Sequence, residues 1–200
     1  MSDNAVLPER NAEHRHRLLE GMAHAVAAKG YPDTTIADIV REASVSRRTF
    51  YEHFDSKSEC LTALYEAASR NALKVLQGAV NPNLEWQKQV EAALSAYLGC
   101  LAQNPVLLRT LFVDILGLGA TGLASRRRVN EEIADVILKL INSGEGSRQL
   151  KAPLSRAMAM AIVGGINELV LEYIEQDRVA SLNDLVATSS QLVRAVTQSG

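Results

Sequence analysis

Apolar residues recur at helical spacing along nearly the whole chain, and no stretch alternates as a half-buried strand would. Leu18, Leu19, Met22, Ala25, Val26 and Ala27 mark a helix over Asn11–Lys29, which Gly30 ends before Tyr31-Pro32 turns the chain. Thr35 as N-cap, with Asp38 at the third helical position, predicts a second helix carrying Ile36, Ile39, Val40 and Ala43. After the short break Ser44-Val45-Ser46 comes a third helix over Arg47–Phe54. Ser56-Lys57-Ser58-Glu59 has the form of a capping box, with Glu59 reaching back, and predicts a long helix through Leu61, Leu64, Tyr65, Ala68, Leu73 and Leu76.

The stretch from Gly78 to Asn83, containing Pro82, is the best internal break. Helices are then expected over Leu84–Gln103, Val106–Leu116 with Pro105 in its first turn, Ser125–Ile141, Pro153–Gln176 and Leu182–Gln198. Gly117, Gly119 and Gly122 read as a loop, Asn142-Ser143-Gly144 as a stop, and Ser181 with Asp184 as another capping box. The expectation is an all-α fold of about nine helices: an N-terminal three-helix domain over residues 1–58, its first ten or so residues flexible, and a helical body over 59–200.

Composition narrows the class. Hydrophobic residues make up 47% and aromatics 4%, which excludes a disordered chain and favours helices packed through aliphatic side chains. The start lacks an apolar signal segment, and the longest uncharged apolar run, Ala157–Ile166, falls short of the roughly 18 residues of a membrane span. With two cysteines, the reading is a soluble, cytoplasmic chain with reduced thiols. Net charge is −2, and residues 1–60 carry eight Lys/Arg against ten Asp/Glu, so any nucleic-acid contact has to come from local placement of charge.

That placement exists at residues 35–57. Two short helices separated by a three-residue turn suit a helix-turn-helix, with Ile36, Ile39, Val40, Val45 and Phe50 as its core and Ser46 capping the second helix. Arg47, Arg48, Thr49, Tyr51 and His53 are left as a polar face. Two arginines in a first turn oppose the helix dipole by some tenths of a kcal/mol, an arrangement that makes sense opposite phosphate or a guanine edge. Ser56-Lys57 stands at a helix N-terminus, where backbone N–H groups favour an anion.

The string from Ile39 to Lys57, with Ser46, the aromatic pair Phe50-Tyr51, Phe54 and Ser56-Lys57 at matching spacing, resembles the N-terminal signature of the TetR (tetracycline repressor) family. The resemblance implies a homodimeric transcription regulator, most simply a repressor released from a palindromic double-stranded DNA operator by a small, largely hydrophobic effector. It implies that Tyr51 and Lys57 touch phosphates, that Arg47, Arg48 and Thr49 reach bases or backbone, and that His53 faces the backbone. With the caps Thr35 and Ser46 these form the candidate DNA-binding set. Val40 and Ser44 depart from the Ala and Gly usual in the family. Ser44 would cost on the order of 1 kcal/mol if its turn needs a positive φ.

Beyond residue 60 the resemblance implies a ligand-binding body whose last two helices pair across a dimer axis. Small residues at Ala157, Ala159, Ala161, Gly164 and Gly165, and the stripe Leu182, Leu185, Val186, Leu192, Val193 and Val196, suit a four-helix bundle built from two chains. Candidate pocket residues are Trp86, Tyr97, Cys100, Leu101, Leu108, Phe112, Asp114, Met158 and Asn167. No cofactor or metal is expected: His14 and His16 point to opposite sides of a helix, and Gly117–Gly122 lacks the spacing of a phosphate loop. The rival readings are a small helical enzyme using the central cavity and an interaction module without DNA binding. All four histidines lie in the first 53 residues, which leaves the body without a catalytic one.

Overall fold

In the computed structural model, which describes residues 3–143 and 153–198, the helical pattern is realised throughout, and no strand occurs among the described residues. The helices are α1 (Asp3–Asp33), α2 (Ile36–Glu42), α3 (Arg47–Tyr51), α4 (Lys57–Gly78), α5 (Trp86–Ala102), α6 (Pro105–Phe112), α7 (Ala120–Asn142), α8 (Arg156–Glu175) and α9 (Leu185–Gln198). Two 3-10 segments, Asp114–Leu118 and Val179–Asp184, stand before α7 and α9. The chain divides into two compact units, residues 1–67 with 109–125, and residues 68–108 with 126–200. The division expected at residue 58 falls in the first turn of α4, and residues 109–125 group with the N-terminal helices.

In the first unit, Leu18, Met22, Val26, Ile39, Phe50 and Leu61 are all but sealed from solvent and tie α1 to α4 into one core. α1 breaks at Gly30, whose φ of 79° is open chiefly to glycine, so the expected stop is found there. Its start is earlier than expected, at Asp3, because residues 3–10 carry no apolar stripe for periodicity to detect. α2 has the full reciprocal box: Thr35 Oγ1 accepts from the Asp38 N–H (3.2 Å) and the Thr35 N–H donates to Asp38 Oδ2 (2.9 Å).

α2 ends in a Schellman turn. The Val45 N–H donates to the Val40 carbonyl (3.0 Å), the Ser44 N–H to the Arg41 carbonyl (3.1 Å), and Ser44 sits at φ 51°. The strain anticipated at Ser44 is therefore present, and the Arg17 guanidinium donates to the Ser44 carbonyl at 2.7 Å. Ser44→Gly is expected to raise stability by about 1 kcal/mol, read as a higher urea midpoint with unchanged slope. The close approach of α1 to α2 is at Gly21, where an added Cβ would lie 2.6 Å from the Ile39 carbonyl oxygen and 2.8 Å from the Ala43 nitrogen.

Two expected boundaries are corrected. α7 starts at Ala120, not Ser125, so of the three glycines read as a loop Gly122 is helical, and only Gly119, at φ 63°, makes the turn. The box expected at Ser181 and Asp184 does not form: Val179–Asp184 is a 3-10 segment and α9 begins at Leu185. α8 starts at Arg156, capped by the Ser155 hydroxyl (3.3 Å), three residues later than expected because Pro153 and Leu154 lead in as extended chain. Gly144, part of the expected stop after α7, lies outside the described residues.

The second unit packs α5 against α9 and the 3-10 segment before it, with α8 against both. The Asn142 side chain accepts from the Leu154 N–H (2.8 Å) and donates to the Leu154 carbonyl (3.1 Å), pinning the end of α7 beside the approach to α8. α8 is long and apolar enough by composition to cross a membrane, at mean hydropathy 1.5. Within the unit it buries Ile162, Val163, Ile166 and Val170 and leaves Glu168 and Glu172 exposed.

Candidate nucleic-acid interface and ligand cavity

α3 is a five-residue helix with a single buried side chain, Phe50. The Ser46 hydroxyl accepts from the Thr49 N–H at 3.0 Å and lies 2.9 Å from the Thr49 hydroxyl, so the expected cap is in place. With Phe50 turned inward, Arg47, Arg48 and Tyr51 stand outward and exposed, Tyr51 at 51%. Arg48 Nε donates to Glu52 Oε1 at 3.1 Å, a pair so exposed that it is worth under about 1 kcal/mol and yields readily to a phosphate. Two cations and a phenol thus project from one capped turn in a neighbourhood that is otherwise acidic.

The other candidate residues are held more closely. Thr35 is committed to its capping box, its hydroxyl donating to Asp38 Oδ2 at 2.6 Å. That carboxylate also meets Lys29 and Arg41, and the Lys29 ammonium and the Thr35 donors hold its carboxyl well below the usual range. His53 is half-buried, its ring edge-on to His14 at 6.4 Å. Burial, then His14 and Arg15, lowers its pKa from the ordinary 6.5, so it is neutral at pH 7 and acts through hydrogen bonds instead of charge. Lys57 reaches back to α1, its ammonium donating to the carbonyls of Thr34 (2.8 Å), Tyr31 (3.0 Å) and Pro32 (3.4 Å). Glu59 completes the start of α4 by accepting from the Asp55 N–H (2.6 Å), one residue ahead of the cap Ser56.

In the second unit α5, α7, α8 and α9 surround an apolar cavity of about 80 Å3. Its walls are Leu76, Val80, Val90, Ala93, Leu94, Ile133, Ile137, Leu140, Ile141, Ile162, Val163, Ile166 and Val193, with Trp86 and Tyr97 as aromatic faces. Polar amides enter only at Gln89, which donates to the Leu84 carbonyl (2.7 Å), and at Asn167, which donates to Asn130 Oδ1 (3.1 Å). At about 24 cal/mol per Å3, an empty space of this size costs the fold about 2 kcal/mol. Filling it with apolar atoms recovers that energy.

Of the candidate pocket residues, Trp86, Tyr97 and Asn167 line this cavity. Cys100, Leu101, Leu108, Phe112, Asp114 and Met158 do not. Cys100 is half-buried near Asn71, Leu108 is core, and Met158 is 45% exposed. Phe112 and Asp114 belong to the first unit, where Asp114 accepts from the Thr110 hydroxyl (3.0 Å). Burial pushes the Cys60 thiol up to about 12 and raises that of Cys100, so neither supplies thiolate near neutral pH.

Residues 18–64 match the model for bacterial regulatory proteins of the tetR family. The chain is 31% identical over 117 residues, 58% of its length and 84% of the relative's, to the uncharacterized HTH-type transcriptional regulator TtgW of Pseudomonas putida. The chain belongs to the tetR family. It is a DNA-binding transcriptional regulator. It is also 25% identical over 184 residues, covering 88% of this chain and 90% of the relative, to the fatty acid metabolism regulator protein of Bacillus subtilis. Its fold matches that of a transcriptional regulator FadR from Bacillus subtilis in complex with stearoyl-CoA, at TM-score 0.74 and 16% identity, covering 92% of this chain and 98% of that one.

In this tetR-family chain two features of the α1–α4 region escaped the sequence reading. Gly21 lacked a signal because its need depends on Ile39 and Ala43, some twenty residues away. The reach of Lys57 back to residues 31–34 was hidden because a lysine at a helix start reads as an anion ligand.

Proposed function

We propose that this regulator acts as a homodimeric repressor whose α3 helices read a palindromic operator, and that a long-chain acyl compound occupying the second unit's cavity releases it. The observation that carries the effector class is the cavity wall, aliphatic and aromatic apart from two amides. The likeness to the fatty acid metabolism regulator supports it, as does the likeness to the FadR structure holding stearoyl-CoA. On the DNA side, the exposed Arg47, Arg48 and Tyr51, with Thr49 beside them, reach base edges and phosphates, and the N-terminal turns capped by Thr35 and Ser46 approach the backbone. His53 contributes hydrogen bonds. Being a regulator, the chain carries no catalytic role in this reading, and its place is the cytoplasm.

The dimer forms through α8 and α9. α8 leaves Ala157, Met158, Ala161 and Gly164 exposed along one side, with nothing within 4 Å of an added Cβ at Gly164, and α9 leaves Ala187 and Ala195 exposed. Occupancy of the cavity shifts the population toward a form that fits the operator less well, to the extent that the ligand prefers that form.

The test is gel-shift selection from a random duplex library, with light scattering for the dimer and palmitoyl-CoA as the probe. The expected result is a selected palindrome released by the probe. No selected sequence at moderate salt sinks the DNA reading, and a palindrome indifferent to acyl-CoA sinks the effector class. Ala93→Phe fills the cavity. Saturating palmitoyl-CoA, at about 100 times Kd, is expected to stabilise the wild type by about 2.7 kcal/mol. The variant should show no such rise while binding the same DNA, as read by thermal shift.

A further inference from the structure

The Lys57 ammonium has three N–H donors, and three backbone carbonyls receive them, those of Thr34 at 2.8 Å, Tyr31 at 3.0 Å and Pro32 at 3.4 Å. The same ammonium lies 4.3 Å from the centre of the Tyr31 ring. These carbonyls follow the break in α1 at Gly30 and have lost their helical partners. The only other donors printed there are local: the Thr34 hydroxyl donates to the Gly30 carbonyl (2.7 Å) and the Thr34 N–H to the Tyr31 carbonyl (3.2 Å). Immediately downstream is Thr35, whose box with Asp38 starts α2.

We propose that Lys57 is a positioning residue that clamps the α1–α2 turn from the start of α4, and is not a phosphate ligand. To grip DNA it would have to leave three carbonyls that water would then have to solvate. Held where it is, it fixes the turn from which α2, and through the Ser44 turn α3, take their direction. The cations left for DNA are those on α3, Arg47 and Arg48. The inference rests on the DNA-binding reading only in its affinity arm, so two measurements are needed.

The first uses the free protein. Amine acetylation followed by mass spectrometry should label Lys57 at least about tenfold more slowly than the exposed Lys88 and Lys139, and mixed-sequence duplex DNA should leave the Lys57 rate unchanged. A Lys57 as reactive as Lys88 and protected by duplex overturns the proposal, and this arm decides even if no variant folds. The second compares the wild type with Lys57→Met and Lys57→Arg on the same duplex across a salt series. A phosphate-bound lysine contributes about 0.9 to the slope of log affinity on log salt, and arginine would restore it. The expected outcome is parallel lines for Lys57→Met, lower by roughly tenfold at every salt concentration, and a melting temperature lower by about 5 °C. The flat arginine fork cannot reproduce a three-carbonyl cap, so Lys57→Arg should not recover the melting temperature. A reduced slope, restored by arginine at unchanged stability, refutes the clamp.

Discussion

Gly122→Ala is expected to lower stability by about 3 kcal/mol or more and to abolish DNA binding with it. An alanine Cβ at this position would stand 1.8 Å from the Ile115 carbonyl oxygen, 3.0 Å from the Ile115 carbonyl carbon and 3.2 Å from the Leu118 Cβ. Two of those three atoms are backbone, so no rotamer change relieves the overlap. Either the 3-10 segment Asp114–Leu118 lifts off the first turn of α7, or α7 unwinds past Gly119, where φ is already 63°. Ile115, fully buried, would be drawn out in the first case. Gly78→Ala is the control: nothing lies within 4 Å of its Cβ, and in α4 the change should be neutral or stabilising by up to about 1 kcal/mol. Equal urea midpoints for the two variants would show that the crossing at Gly122 is looser than these distances require.

That crossing also marks where the sequence stops being informative. Short-range devices were legible: Thr35, Ser46 and Ser56 each cap the residue three positions on, and a cap needs only its own turn. The positive φ at Ser44 was legible because the family resemblance puts glycine there. The equivalent turn at the end of α8 was not, because Asp177, at φ 55°, carries no such hint; there the Arg178 N–H donates to the Tyr173 carbonyl (2.8 Å). Gly122 was misread as loop because three glycines within six residues look like punctuation, whereas one of them is small to let a neighbouring segment in. Pocket residues were chosen by type along the chain. Cavity walls are chosen by which faces of four helices converge, which is why Trp86, Tyr97 and Asn167 line the space while Met158 lies exposed.

Phe50→Ala is expected to cost about 3–5 kcal/mol, the range for removing a sealed aromatic, and to eliminate operator binding. Phe50 has no exposed surface, and its ring lies 5.8 Å from Phe54 and 5.5 Å from Tyr51. The consequence exceeds an ordinary cavity because α3 has no second anchor. Five residues form barely more than one turn, far below the length at which a helix stands alone in water. Its other side chains face outward, so packing by Phe50 is what holds Arg47, Arg48 and Tyr51 in a fixed arrangement. Stability and recognition should therefore fail together here and separate one position away. Arg47→Ala with Arg48→Ala should leave the urea midpoint within about 0.5 kcal/mol of the wild type while costing about 1–3 kcal/mol of DNA affinity per arginine. Phe50→Leu, which refills most of the space, should recover much of both. If Phe50→Ala kept operator affinity while losing stability, α3 would have to be ordered by the DNA itself. A preformed recognition helix anchored by one aromatic would then be the wrong description of how this regulator reads its site.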